Sequence, residues 1–143
     1  MTLVSPQAGV PDPGYHAEQG RKPIMKPYDA GQRIVRNLHT TAFKPLQVDG
    51  LAYEGLSYLQ LDHRRQEGTG LHVLKMAPGT TSLPHEHTSD EIFFVLEGEL
   101  VDFDGTRYKA GDMVLLRAGT VHSSHSPAGC TLIFYMDTLE KPA

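Results

Sequence analysis

From Leu46 onward, turn residues interrupt the chain at intervals of roughly 8–12 residues, and the runs between them have the texture of short β-strands. Tyr53 to Leu61 alternates, with Leu56 and Tyr58 on one side and Ser57, Leu59 and Leu61 on the other. Leu71–Met76, Glu91–Leu96, Glu99–Phe103, Asp112–Leu116 and Cys130–Met136 follow, punctuated by Pro78-Gly79 and Gly98. Asp104-Gly105 reads as a type I′ hairpin turn, because Asp-Gly tolerates the left-handed backbone that such a turn needs. No amphipathic stretch is long enough for a useful helix. About eight strands of this kind predict an all-β sandwich or barrel. Phe93, Val95, Val114, Leu116, Leu132 and Phe134 are expected to fill its core.

The N-terminal third has a different texture. Residues 1–31 contain five of the ten prolines and show neither helical nor alternating periodicity, as an extended arm would. Gln32–Leu38, with Ile34, Val35 and Leu38, suffices for one edge strand or one helical turn. The expected organisation is therefore an arm over residues 1–45 and a barrel domain over 46–143. Formal charge divides at the same place. The net −4 is a basic arm of +3 on an acidic domain of −7, which suits contact between the arm and the barrel or its twin.

Several classes are excluded by what these 143 residues contain. The single cysteine, Cys130, forms no intrachain disulfide and no thiolate zinc cage; it reads as a small buried hydrophobe. The N-terminus lacks a basic start followed by an apolar run, and no apolar stretch approaches the roughly 20 residues that span a bilayer. A cytoplasmic protein without membrane partners is expected. The acidic balance argues against nucleic acid as a partner. No nucleophile elbow, phosphate-cradling loop or dinucleotide fingerprint is present.

The informative residues are histidines. Successive side chains of a strand alternate in direction, so His85 and His87 project to one face. Glu91 follows after Thr88, Ser89 and Asp90, where an antiparallel return would bring it toward both imidazoles. Two imidazoles and a carboxylate suit a borderline divalent metal such as iron(II), manganese, nickel or zinc. His122, which opens another strand after Gly119-Thr-Val, is the best fourth ligand.

Gly79-x5-His85-x-His87-x3-Glu91-x6-Gly98 resembles the first motif of the cupin superfamily at every defined position. Gly111-x5-Arg117-x-Gly119-x2-His122-x3-Ser126 resembles the second, with Arg117 in place of the family's proline and Ser126 in place of its asparagine. The resemblance extends over about residues 46–137. It implies a small cupin jelly-roll barrel whose single metal is held by His85, His87, Glu91 and His122, with two coordination positions left to water or substrate. It also implies a homodimer.

Three imidazoles and one carboxylate on a divalent ion give a net +1 centre with three possible uses. The leading expectation is an iron(II)-type dioxygenase acting on a small organic molecule. The alternatives are a non-redox lyase, isomerase or decarboxylase, and a non-catalytic metal- or ligand-binding cupin. Arg117 is a candidate to hold a substrate carboxylate, since its planar fork matches one. Tyr58 and Ser124 are candidate pocket-lining residues, the latter on the face of His122. Glu86, Asp90, His72, Tyr108 and His125 are further candidates for a general acid or base. By strand alternation Glu86 and His125 point away from the ligand face, Asp90 reads as a turn residue, and His72 reads as core or surface.

Overall fold

The computed structural model describes residues 24–48 and 51–143, with only the backbone of Val48, Leu51 and Ala52. Most of the expected arm, residues 1–23, lies outside the described residues. Residues 33–143 form one compact unit, and the described residues 24–32 belong to a separate one. Among the described residues there is no helix, hence none long and apolar enough to cross a membrane.

Twelve strands are described within residues 33–143. They are β1 (Lys44–Val48), β2 (Leu51–Gln60), β3 (Gly70–Met76), β4 (Thr80–Thr81), β5 (His85–Glu86), β6 (Glu91–Asp102), β7 (Arg107–Lys109), β8 (Met113–Leu116), β9 (Val121–His122), β10 (Ser124–Ser126), β11 (Cys130–Met136) and β12 (Lys141–Pro142). Nine form one sheet in the order β1-β2-β3-β11-β6-β10-β4, with β7 and β8 also paired to β6, and β12-β5-β9 form a second. This is the all-β architecture expected from the strand spacing.

β6 is the spine. Its first half pairs with β8 and β11, and its second with β7 and β10. The change of partners occurs around a bulge: Leu132 faces Val95 while Thr131 faces Glu97, which leaves Leu96 as the extra residue. Such an insertion bends a strand and increases its twist. Gly98 follows with φ of 76°, and a Cβ there would come within 2.1 Å of the Gly129 carbonyl oxygen. Only glycine lets the two backbones approach so closely.

Burial alternates along the first half of β6. Glu91, Phe93 and Val95 point inward, whereas Ile92 between them is half exposed. Register continues the inward rows across the sheet, from Phe93 to Phe134 to His72 and from Val95 to Leu132 to Leu74. Phe93, Val95, Leu132 and Phe134 are core residues as expected, while Val114 and Leu116, on β8, are only partly buried against it.

Two local expectations are corrected. Gln32–Leu38 forms no strand; instead the Asn37 carbonyl accepts from Thr41 N–H (2.8 Å), closing one turn. The Asn37 side chain also accepts from His39 N–H, and that local bond competes with strand pairing. At Asp104-Gly105 the hairpin is real, but its closing bond runs from Asp102 N–H to the Thr106 carbonyl (2.8 Å), so it encloses three residues rather than two. Gly105 supplies a left-handed residue in this loop, with φ of 87°.

Candidate metal centre

β5 and β9 are only two residues long, yet their pairing sets His85 directly opposite His122. The pairing continues beyond the strands, since His87 N–H donates to the Thr120 carbonyl (3.0 Å) and Gly119 N–H to the His87 carbonyl (2.7 Å). The three imidazoles therefore converge. Ring centroids lie 5.0 Å apart for His85 and His87, 4.6 Å for His85 and His122, and 4.8 Å for His87 and His122.

Each outer imidazole is oriented through its far nitrogen. His85 Nδ1 donates to the Leu83 carbonyl at 2.8 Å, and His122 Nδ1 bonds Asp102 Oδ1 at 3.0 Å. With Nδ1 committed, Nε2 of each neutral ring presents a lone pair, which is how hydrogen-bonded imidazoles are prepared as metal ligands. The Nε2 of His87 is buried without any hydrogen-bond partner. An orphaned buried nitrogen costs about 1–3 kcal/mol, and a coordinated cation removes that cost. One ligand atom from each of the three histidines falls within 4.8 Å of the other two, a spacing that can hold a metal ion.

Glu91 enters from β6, four residues beyond His87, with Oε2 3.5 Å from His87 Nδ1. It belongs to a second overlapping group, His87, Glu91 and Glu140, whose ligand atoms also lie within 4.8 Å of one another. The turn between His87 and Glu91 is pinned by Asp90, which accepts from Ala118 N–H (2.9 Å) and Arg117 Nη1 (3.0 Å). Asp90 thus ties together the two loops that carry the ligand-type residues.

Burial sets the electrostatics. His87 is lowered to about 4 by desolvation first, then by His122 and His85, with Asp102 opposing. Glu91 is pushed well above the usual carboxylate range by burial, with Glu140 and Asp102 adding repulsion. A neutral His87 imidazole and a carboxylate short of positive charge suit a divalent cation as donors.

The cluster opens into a cavity of about 550 Å³. His85, Glu91 and His122 line it beside Leu56, Phe93 and Leu132. Tyr58 and Ser124 are part of the lining too. Tyr58 hydrogen-bonds Glu67, and burial followed by that carboxylate pushes its phenol up to about 12. Arg117 is absent from the lining, since its exposed side chain is engaged by Asp90. Glu86 pairs with Lys141, and His125 is exposed, both away from the imidazoles as strand parity predicts. His72 is buried in the lining and stacked on Phe134.

Three acidic residues go unnoticed in the sequence reading. Asp102 carried a usable signal, since it shares strand parity with the buried Leu100. Glu67 and Glu140 carried none, because each reaches the cavity from an irregular segment.

A family model for the ChrR cupin-like domain matches residues 31–140. An uncharacterised protein of Streptomyces coelicolor is 32% identical over 83 residues, a match covering 56% of this chain and 76% of that protein. Among solved structures, a chain in the complex of Rhodobacter sphaeroides SigE with the anti-sigma ChrR superposes with a TM-score of 0.55 at 21% identity. That match covers 71% of this chain but only 52% of the other, so this chain spans about half its length. An acetylacetone dioxygenase from Acinetobacter johnsonii gives a TM-score of 0.58 at 13% identity, covering 80% of this chain and 78% of that one. At such identities the superpositions establish the fold alone, whereas the family model covers most of the sequence: this chain belongs to the ChrR cupin-like domain family.

Proposed function

We propose that this protein is a metal-dependent enzyme for a small, largely apolar organic molecule, and that its reaction is of the iron(II) dioxygenase type. The observation that carries the reading is the opening of the three-histidine cluster into a 550 Å³ cavity lined by Phe93, Leu132 and Leu56. A cavity of this size, apolar over most of its surface, suits one small ligand. His85, His87, His122 and Glu91 would hold the ion, which when bound supplies a Lewis acid and a source of electrons for dioxygen.

The remaining steps belong to the side chains. Leu83 and Asp102 keep His85 and His122 turned so that Nε2 faces inward. Phe93, Leu132 and Phe134 exclude water from the reacting groups, which strengthens every polar contact made there. Tyr58 keeps its proton throughout the physiological range, and with that proton engaged in the hydrogen bond to Glu67 its hydroxyl oxygen can accept from a polar group of the substrate. Ser124, whose N–H bonds the Ser82 hydroxyl, adds a polar contact beside His122.

Metal analysis after purification, combined with oxygen uptake against phenols, keto acids and β-dicarbonyls, tests the reading. β-Dicarbonyls are included because one superposed structure is an acetylacetone dioxygenase. Iron with substrate-dependent oxygen consumption is the expected result. Zinc or nickel with turnover but no oxygen uptake makes the protein a lyase or isomerase, and ligand binding without turnover makes it a binding cupin. Metal content unchanged in both His85→Ala and His122→Ala overturns the metal site itself.

A further inference from the structure

The C-terminal segment places a second carboxylate at the histidine cluster. Glu140 Oε2 lies 3.2 Å from His85 Nε2, and Glu140 shares the 4.8 Å group with His87 and Glu91. His85 Nδ1 donates to the Leu83 carbonyl, so a neutral His85 has only a lone pair at Nε2, facing a carboxylate oxygen that also has only lone pairs. Two acceptors at 3.2 Å need a proton or a cation between them. The buried, partnerless Nε2 of His87, in the same cluster, favours the cation.

The segment is built to hold that carboxylate in place. β12 pairs with β5 so that Pro142 faces His85 and Lys141 faces Glu86. Alternation then sends Lys141 outward to its ion pair with Glu86 at 3.3 Å and Glu140 inward. Ala143 N–H donates to the Pro84 carbonyl at 3.2 Å. On the other side Thr88 donates to the Leu139 carbonyl (2.6 Å), and Thr138 N–H donates to Ser89 Oγ (3.2 Å). Thr88 and Ser89 lie between His87 and Glu91, so the strap is stitched to the loop that carries those residues.

We infer that Glu140 is a fifth protein donor to the metal centre, delivered by the strap Thr138–Ala143. This rests on the reading of the histidine cluster as a metal site. Three imidazoles and two carboxylates make a divalent centre electrically neutral. They also occupy one of the two positions that the four-residue set leaves open. The side chain of Glu140 is 41% exposed, unlike that of Glu91 at 4%, so it is the carboxylate that a substrate binding directly to the ion can displace.

The test compares the full-length protein with Glu140→Gln and Lys141→Met, the latter loosening the strap while keeping the carboxylate. Affinity for cobalt(II) is measured by chelator competition, and the cobalt absorption spectrum reports coordination number without any substrate. Glu140→Gln is expected to weaken binding at least tenfold and to change the spectrum, with Lys141→Met retaining the wild-type spectrum. Unchanged affinity in Glu140→Gln overturns the inference, as does weaker binding with an unchanged spectrum, which would reduce Glu140 to a hydrogen-bonding partner of His85. If the wild-type protein takes up no cobalt, the metal-site reading fails first, so the two failures are distinguishable.

Discussion

Asp102 Oδ1 lies 3.0 Å from His122 Nδ1, and both side chains are buried. The same carboxylate accepts from the Tyr108 hydroxyl (3.1 Å) and from Phe103 N–H (2.9 Å). A carboxylate behind an imidazole fixes its tautomer and raises its basicity as a ligand. Asp102→Ala is expected to lower metal affinity by roughly 10- to 100-fold, the range for removing such a partner. Calorimetric titration of zinc into the metal-free variant checks this; wild-type affinity would show that the pair is structural only.

Glu91→Gln is expected to move stability and metal binding in opposite directions. Without metal, burial and the nearby Glu140 and Asp102 disfavour the Glu91 anion. A neutral amide of the same shape relieves that penalty, so the metal-free variant gains about 1–3 kcal/mol at neutral pH. Loss of a charged donor weakens metal binding at the same time. Denaturant titrations with and without zinc measure both effects, and a metal-free variant less stable than wild type contradicts the account.

Acid should weaken the metal-free protein through His87. Its folded-state value of about 4 lies below the ordinary 6.5, so between these limits the unfolded chain binds the extra proton and the folded one does not. Stability is therefore full above about pH 6.5 and falls as pH drops toward 4. A His87→Gln variant should show a flatter slope across that window in denaturant titrations at successive pH values.

Gly98 and Gly105 both have left-handed backbones but should differ sharply on substitution. At Gly105 a Cβ meets nothing within 4 Å, so Gly105→Ala costs only backbone strain, about 1–2 kcal/mol. At Gly98 it meets the Gly129 carbonyl and Cys130 backbone, and Gly98→Ala is expected to cost about 4 kcal/mol or more. Thermal unfolding of the two variants gives the comparison.

Arg117 and Tyr58 should separate by their positions. Arg117→Met disturbs an exposed ion pair and is expected to change stability by no more than about 1 kcal/mol, leaving ligand binding intact. Tyr58→Phe removes a hydroxyl inside the cavity and is expected to raise KM for a substrate with a polar group, with metal content unchanged. Steady-state kinetics on whichever substrate the oxygen-uptake panel yields would decide between them.

Local periodicity made much of the molecule legible. Cys130–Met136 is a strand with the bounds that its sequence suggests, because alternation and a flanking glycine are properties of a short segment. The Glu91–Asp102 strand reads as two runs broken at Gly98, whereas the structure joins them across a bulge. Glycine looks the same in sequence whether it ends a strand or bends one.

The sequence by itself determined the strand content, the inward parity of Phe93, Val95, Leu132 and Phe134, and the spacing of His85, His87, Glu91 and His122. All of these follow from two-residue alternation and short turns. Only the tertiary structure decided that Asp102 stands behind His122, that Glu140 comes to His85 from 55 residues away, and that Arg117 turns to Asp90 rather than the cavity. Those contacts join segments far apart in the chain, and they depend on the tertiary closure that brings β12, β5 and β9 together as one sheet. No local pattern records that closure, because it arises from burying the shared core rather than from the preference of any one segment.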